Sequence, residues 1–211
     1  MKELLPEIHR SPLLERVVTR LSPEDIFERF SAYPKPAFLN SSLETDASRF
    51  SFIGIDPIAE ISGARAEDTS VSVSGVTMPA GKDPFSALED LLDIYSVENI
   101  TAFPFIAGGI GYFGYDLKDR LERLPSVAAD DLALPGMHFI FYRVILILDK
   151  KDPNSVHISV LDIKDRSYQS ASEVMRNVKN TLLAPVFPSG KPSTAKYSSG
   201  KLTSNFSKPD Y

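Results

Sequence analysis

The chain has 211 residues, of which 43% are hydrophobic and 24% charged, with a net charge of -5 and a pI near 5.3. This balance is that of a soluble globular protein, and an acidic chain without a basic stripe excludes broad binding to a nucleic-acid backbone. The absence of cysteine excludes disulfides, thiolate zinc sites and a cysteine nucleophile. Met1 to Arg20 mixes charge with leucine and lacks the apolar core of a signal peptide. The longest apolar run, Val144 to Leu148, is too short to span a bilayer, so no membrane contact and a cytoplasmic location are expected.

In chain order, Ser22-Pro23-Glu24-Asp25 reads as a helix start: a hydroxyl cap, proline at the first helical position and acids in the first turn. Ala37 to Leu39 is a short strand candidate. Arg49 to Gly54 alternates, with Phe50 and Phe52 on one face, and Ile58–Ile61 and Val71–Val73 continue the strand pattern up to a Ser74-Gly75 turn. Asp83-Pro84 opens a helix with an apolar stripe of Phe85, Leu88, Leu91, Leu92 and Tyr95. Met137 to Leu148 is a long strand, turned by Asp152-Pro153-Asn154 into a second one, Val156 to Leu161. A last helix places Tyr168, Ala171, Val174, Met175, Val178 and Leu182 on one face. Strands joined by short turns predict an α+β fold, with antiparallel sheets packed as a sandwich and helices on the outside.

Composition shifts to Pro, Ser, Gly and Lys over residues 184–201, which marks a linker. Ser207-Lys208-Pro209-Asp210 is another helix start with no helix behind it before Tyr211. The expected division is an N-terminal domain over 1–183, the linker, and the first residues, 202–211, of a further domain.

Two segments stand out chemically. Four of the eleven glycines lie within Phe105 to Asp116, at Gly108, Gly109, Gly111 and Gly114, among apolar and aromatic residues. Glycine weakens a strand unless a backbone approaches closely, so a crowded internal site is expected, and no nucleotide-binding glycine pattern is present. The other segment runs from Phe38-Leu39-Asn40-Ser41-Ser42 to Ser48-Arg49-Phe50. Its hydroxyls, amide and arginine sit at the ends of two apolar strands, where they either converge on a ligand bearing an amine and a carboxylate or form a polar loop with Arg49 solvated or paired to Glu44 or Asp46. The paired carboxylates Asp130-Asp131 read as a turn or cap rather than as acid-base chemistry. His9, His138 and His157 each stand alone, without metal-ligand spacing.

Gly108-Gly109-Ile110-Gly111-Tyr112-Phe113-Gly114-Tyr115-Asp116 resembles the GG-x-GYF-x-YD segment of the chorismate-using enzymes, the large subunits of anthranilate synthase and aminodeoxychorismate (para-aminobenzoate) synthase. Leu39, Ser41, Arg49 and Phe50, with Ser48 beside them, match the region that lines the tryptophan pocket of that family. Asn40 departs from it, standing where anthranilate synthases usually carry glutamate. The loss of that carboxylate, and the segment Leu121 to Tyr142, lean the resemblance toward the aminodeoxychorismate branch.

The resemblance implies a parent enzyme that aminates chorismate for para-aminobenzoate and folate synthesis. It implies Mg²⁺ and chorismate bound in the domain that follows, ammonia from a glutamine amidotransferase partner, L-tryptophan as a possible ligand, and no catalysis by this chain alone. Gly108, Gly109, Gly111, Tyr112 and Asp116 take interdomain or structural roles. The alternatives are anthranilate synthase component I and a stand-alone amino-acid-binding regulatory module.

Overall fold

The computed structural model describes residues 5–43, 48–65, 67–120, 122 and 132–185. The expected linker beyond Pro185, residues 202–211, the segment containing Asp130-Asp131, and Glu44 and Asp46 lie outside them. The strands are β1 (Leu13–Val18), β2 (Ala37–Leu39), β3 (Phe50–Gly63), β4 (Ser70–Val73), β5 (Val76–Pro79), β6 (Gly108–Phe113), β7 (Met137–Asp149) and β8 (Ser155–Val160). The helices are α1 (Pro23–Phe30), α2 (Pro84–Ile94) and α3 (Ala171–Leu183), with a 3-10 segment at Tyr115–Arg120.

All eight strands join one antiparallel sheet, so the fold is α+β with flanking helices. Instead of two separate sheets, one curled sheet has two halves that share its two longest strands. β3 and β7 pair along their whole length; β2 joins β3 near Phe52–Gly54 and β4 joins it near Glu60–Ser62, while β8 and β6 divide the other edge of β7. The halves meet where Asp56 takes a left-handed φ of 59° and the register shifts between Pro57 and Ala59. Pro57 has no N–H to offer a ladder, so the Asp-Pro pair marks the irregularity that lets one strand serve both halves.

β7 is buried on both faces, which explains its unbroken apolar run. Val144, Leu146 and Leu148 pack with α1 and α3, whereas Ile145 and Ile147 pack on the other face with Ile106, Ile110 and the Phe50, Phe52, Phe103 and Phe105 rings. A third cluster unites α2, β4 and the distal half of β3.

Local signals explain most boundaries. Ser22 and Asp25 form a complete capping box before α1, as do Ser170 and Glu173 before α3, and Asp83 caps α2. Ser74 and Gly75 have φ of 50° and 81°, the geometry of a two-residue hairpin turn.

One strand had no expectation attached to it, and two local expectations are corrected. β1 lies within the segment read only as mixed charge and leucine. It is an edge strand with one buried residue, so its pattern never alternates cleanly. The α2 stripe is narrower than expected: Ala87, Leu88 and Leu91 face the core, whereas Phe85 and Leu92 are exposed. Tyr168 precedes the α3 cap, and its hydroxyl meets Ser74 Oγ at 2.9 Å.

Candidate functional site

β2 runs antiparallel to β3, with Leu39 opposite Phe52, so Asn40, Ser41 and Ser42 pass beside the start of β3. Strand alternation turns Ser51 toward α1 and sends Phe50 and Phe52 to the other face, where they stack on each other at 6.2 Å. Ser51 Oγ accepts the Ser41 N–H at 3.0 Å and donates to Asn40 Oδ1 at 3.2 Å. Ser41 Oγ donates to the Phe50 carbonyl at 2.7 Å, and Asn40 Nδ2 donates to Glu24 Oε1 at 2.8 Å.

These groups border a cavity of about 530 Å³, which also reaches Leu21 and Pro23 at the α1 entry, Leu148–Lys150 at the end of β7, and Ser155. Its wall is apolar at Leu21, Pro23, Leu148 and Pro153, and polar at four serines, an amide, two carboxylates and Lys150. Such a mixture suits a small ligand with an apolar body and an amine or hydroxyl group.

Of the five residues matched to the tryptophan pocket, Ser41 lines this cavity. Leu39 is exposed at the end of β2, and Ser48 Oγ donates to the Leu43 carbonyl. Phe50 faces the aromatic cluster and meets Phe103 edge-on at 6.0 Å. Arg49 closes on Asp149 through two bonds, Nε at 2.7 Å and Nη2 at 2.5 Å, and its guanidinium lies 4.6 Å from the Phe50 ring. The Arg49 fork holds the Asp149 carboxyl below its ordinary range, against the pull of burial, with help from the Lys151 N–H. Arg49 is thus engaged with a carboxylate of the chain itself, one of the two on the cavity wall.

Glu24 and Asp149 line the cavity although no local pattern marked either. Glu24 reads in sequence as a helix-dipole acid, and Asp149 as part of the polar turn after a strand.

The glycine segment forms β6, and close approach is what it serves. A Cβ on Gly111 would fall 2.0 Å from the His138 carbonyl oxygen, and one on Gly109 would fall 3.3 Å from the Phe141 ring. The Phe105 ring covers Gly108. Tyr112 meets His138 edge-on at 5.9 Å, and His138 Nε2 lies 2.8 Å from Glu60 Oε1, whose other oxygen takes the Lys35 ammonium. Burial pushes Glu60 upward, but the hydrogen bonds from Lys35 and His138 outweigh it and hold the carboxyl below its usual range. The Asp116 side chain lies outside the described set. Among the described residues no group of three His, Cys, Asp or Glu side chains could hold a metal ion, and no helix is long and apolar enough to cross a membrane.

No protein-family model matches the chain. It is 28% identical over 200 residues to anthranilate synthase component 1 of Acetivibrio thermocellus, covering 90% of this chain and 40% of that one. It is 31% identical over 157 residues to aminodeoxychorismate synthase component 1 of Escherichia coli K12, covering 71% and 34% of the two chains. To the Salmonella typhimurium aminodeoxychorismate synthase component 1 the identity is 36% over 104 residues, or 48% and 23% of the chains. The chain thus spans less than half the length of each of these relatives. The chain belongs to the family that comprises anthranilate synthase component I and aminodeoxychorismate synthase component I.

Proposed function

We propose that the chain is the N-terminal part of an aminodeoxychorismate synthase component I, whose whole protein aminates chorismate to 4-amino-4-deoxychorismate, and that this part performs no chemistry itself. The observation that carries the reading is its identity to the Escherichia coli and Salmonella typhimurium aminodeoxychorismate synthases, over 34% and 23% of their lengths. Chorismate and Mg²⁺ are assigned to the remainder of the parent, as the family resemblance implies. Ammonia comes from a glutamine amidotransferase, component II. The longer match, over 90% of the chain, to an anthranilate synthase component 1 favours anthranilate formation as the second reading.

The test is product analysis. The full-length parent, given chorismate, Mg²⁺ and ammonia, forms aminodeoxychorismate, and residues 1–211 alone form neither product. Anthranilate from the parent rejects the branch, whereas turnover by residues 1–211 alone rejects the non-catalytic assignment.

Within this part, the cavity beside Ser41 is the site proposed for an amino acid such as L-tryptophan. Its volume and mixed lining support that role, with Glu24 supplying a carboxylate where Asn40 has none.

A further inference from the structure

The glycine segment has a second side. β6 pairs with β7 from Gly108–Tyr142 to Phe113–Met137, and among the described residues no other backbone bonds to its outer edge. Soluble proteins guard such an edge with lysine, proline, a bulge or a cover, because a row of free N–H and C=O groups invites another strand. Gly-Gly-Ile-Gly-Tyr-Phe carries neither charge nor proline. The same strand ends in exposed aromatic surface: Tyr112 is 38% exposed, Phe113 53% and, just beyond, Tyr115 82%.

Rings of this surface pack on neighbouring side chains. Phe113 is held between Phe85 of α2, stacked at 5.9 Å, and Phe139 of β7, edge-on at 4.9 Å. The Lys118 ammonium lies 4.9 Å from the Tyr115 ring at the margin. Packed aromatics with a cation at the rim are what the centre and border of a protein interface present.

We propose that the outer edge of β6, with Phe85, Tyr112, Phe113 and Tyr115, is the docking surface for the remainder of the parent polypeptide. The inference rests on the reading that a parent longer than this chain exists. The relatives supply the length: the chain spans 40% and 34% of two of them, so more than half of such a polypeptide lies outside it. A tethered partner meets the edge at an effective concentration of about a millimolar, whereas a second copy must reach it from bulk solution. The partner face is therefore apolar, with backbone groups able to pair with Gly109, Gly111 and Phe113.

The chain's lack of cysteine makes the test direct. Phe113→Cys and Tyr115→Cys each place one thiol at the surface, and Val76→Cys places one on β5, a reference at the far edge of the sheet. Alkylation by iodoacetamide is followed by peptide mass spectrometry in residues 1–211 and in the full-length parent. The expected result is labelling at least tenfold slower in the parent for Phe113→Cys and Tyr115→Cys, with Val76→Cys unchanged.

Equal rates at both β6 positions overturn the proposal. Slow labelling already in residues 1–211 also overturns it, and a dimer mass in sedimentation then assigns the edge to a second copy. Should a variant fail to fold, hydroxyl-radical footprinting of unsubstituted Tyr112, Phe113 and Tyr115 reads the same protection. A parent that protects the edge but does not aminate chorismate fails the functional reading alone, whereas one that aminates but labels freely fails this inference alone.

Discussion

Arg49 and Asp149, a hundred residues apart, are joined by two parallel hydrogen bonds, from Nε at 2.7 Å and Nη2 at 2.5 Å. The pair ties the start of β3 to the end of β7, and the Lys150 N–H donating to the Arg49 carbonyl at 3.0 Å reinforces it. Because the fork lowers the Asp149 pKa relative to the unfolded chain, its contribution is fully present above the ordinary aspartate value of 3.8. It is lost as pH falls through the depressed folded value. Asp149→Asn is expected to lower the midpoint of thermal unfolding by about 2–4 °C at pH 7. Calorimetric scans should show that gap closing as pH falls below 3.8 and through the depressed folded value, and a gap independent of pH would refute the pairing as its source.

Tyr142 gives the opposite sign. Burial pushes its hydroxyl up to about 12, and the hydroxyl donates to the Lys35 carbonyl at 2.7 Å. A raised folded pKa means that stability is whole below the unfolded value near 10 and falls as pH rises through the folded one. Tyr142→Phe should cost about 0.5–1.5 kcal/mol at pH 7 for the lost hydrogen bond. In urea titrations between pH 10 and 12 it should then lose less stability than the unsubstituted chain.

Gly111→Ala is predicted to be among the most damaging single-methyl additions, because its Cβ would sit inside the His138 carbonyl. Backbone must move, which costs about 1–3 kcal/mol or more. Gly109→Ala meets the Phe141 ring at 3.3 Å, which can shift, so it should cost less. Denaturant midpoints of the two variants would rank them, and the reverse ranking would contradict the β6–β7 register.

At the cavity, the informative measurement is calorimetry of the full-length parent with L-tryptophan. Ser41→Leu, which fills the wall beside Ser51, should weaken binding by about tenfold or more, roughly 1.4 kcal/mol. Arg49→Ala should change affinity much less, since its fork is already spent on Asp149. A large loss in Arg49→Ala with little in Ser41→Leu would place the ligand elsewhere.

Much of this architecture was readable residue by residue. The caps at Ser22 and Asp83, the Ser74-Gly75 turn and the long β7 run are local signals, and they lie where the pattern puts them. The union of two strand patterns into β3 was not readable, because Asp56-Pro57 breaks the alternation that would have joined them. Phe85 was misplaced because a helical stripe counts spacing only, and Phe113, from another element, offers the ring that draws it outward. For the cavity, Ser41 was legible through its strand-end position. Glu24 and Asp149 were not, since they reach it from α1 and β7 through tertiary contacts alone.

The pairing of β3 with β7 has a consequence for biosynthesis. Ile55 stands opposite Val144, so at ribosomal elongation rates roughly 5–20 seconds separate the emergence of the two strands. Throughout that interval the nascent chain holds its longest early strand with only short neighbours, β2 and β4, on one side. The other side, which carries the centre of the finished sheet, stays unsatisfied. Neither half can complete itself before the ribosome has passed Asp149, so folding is committed late and as a unit. Chaperone binding to the nascent chain should therefore peak after Gly63 emerges and fall sharply once β7 is out.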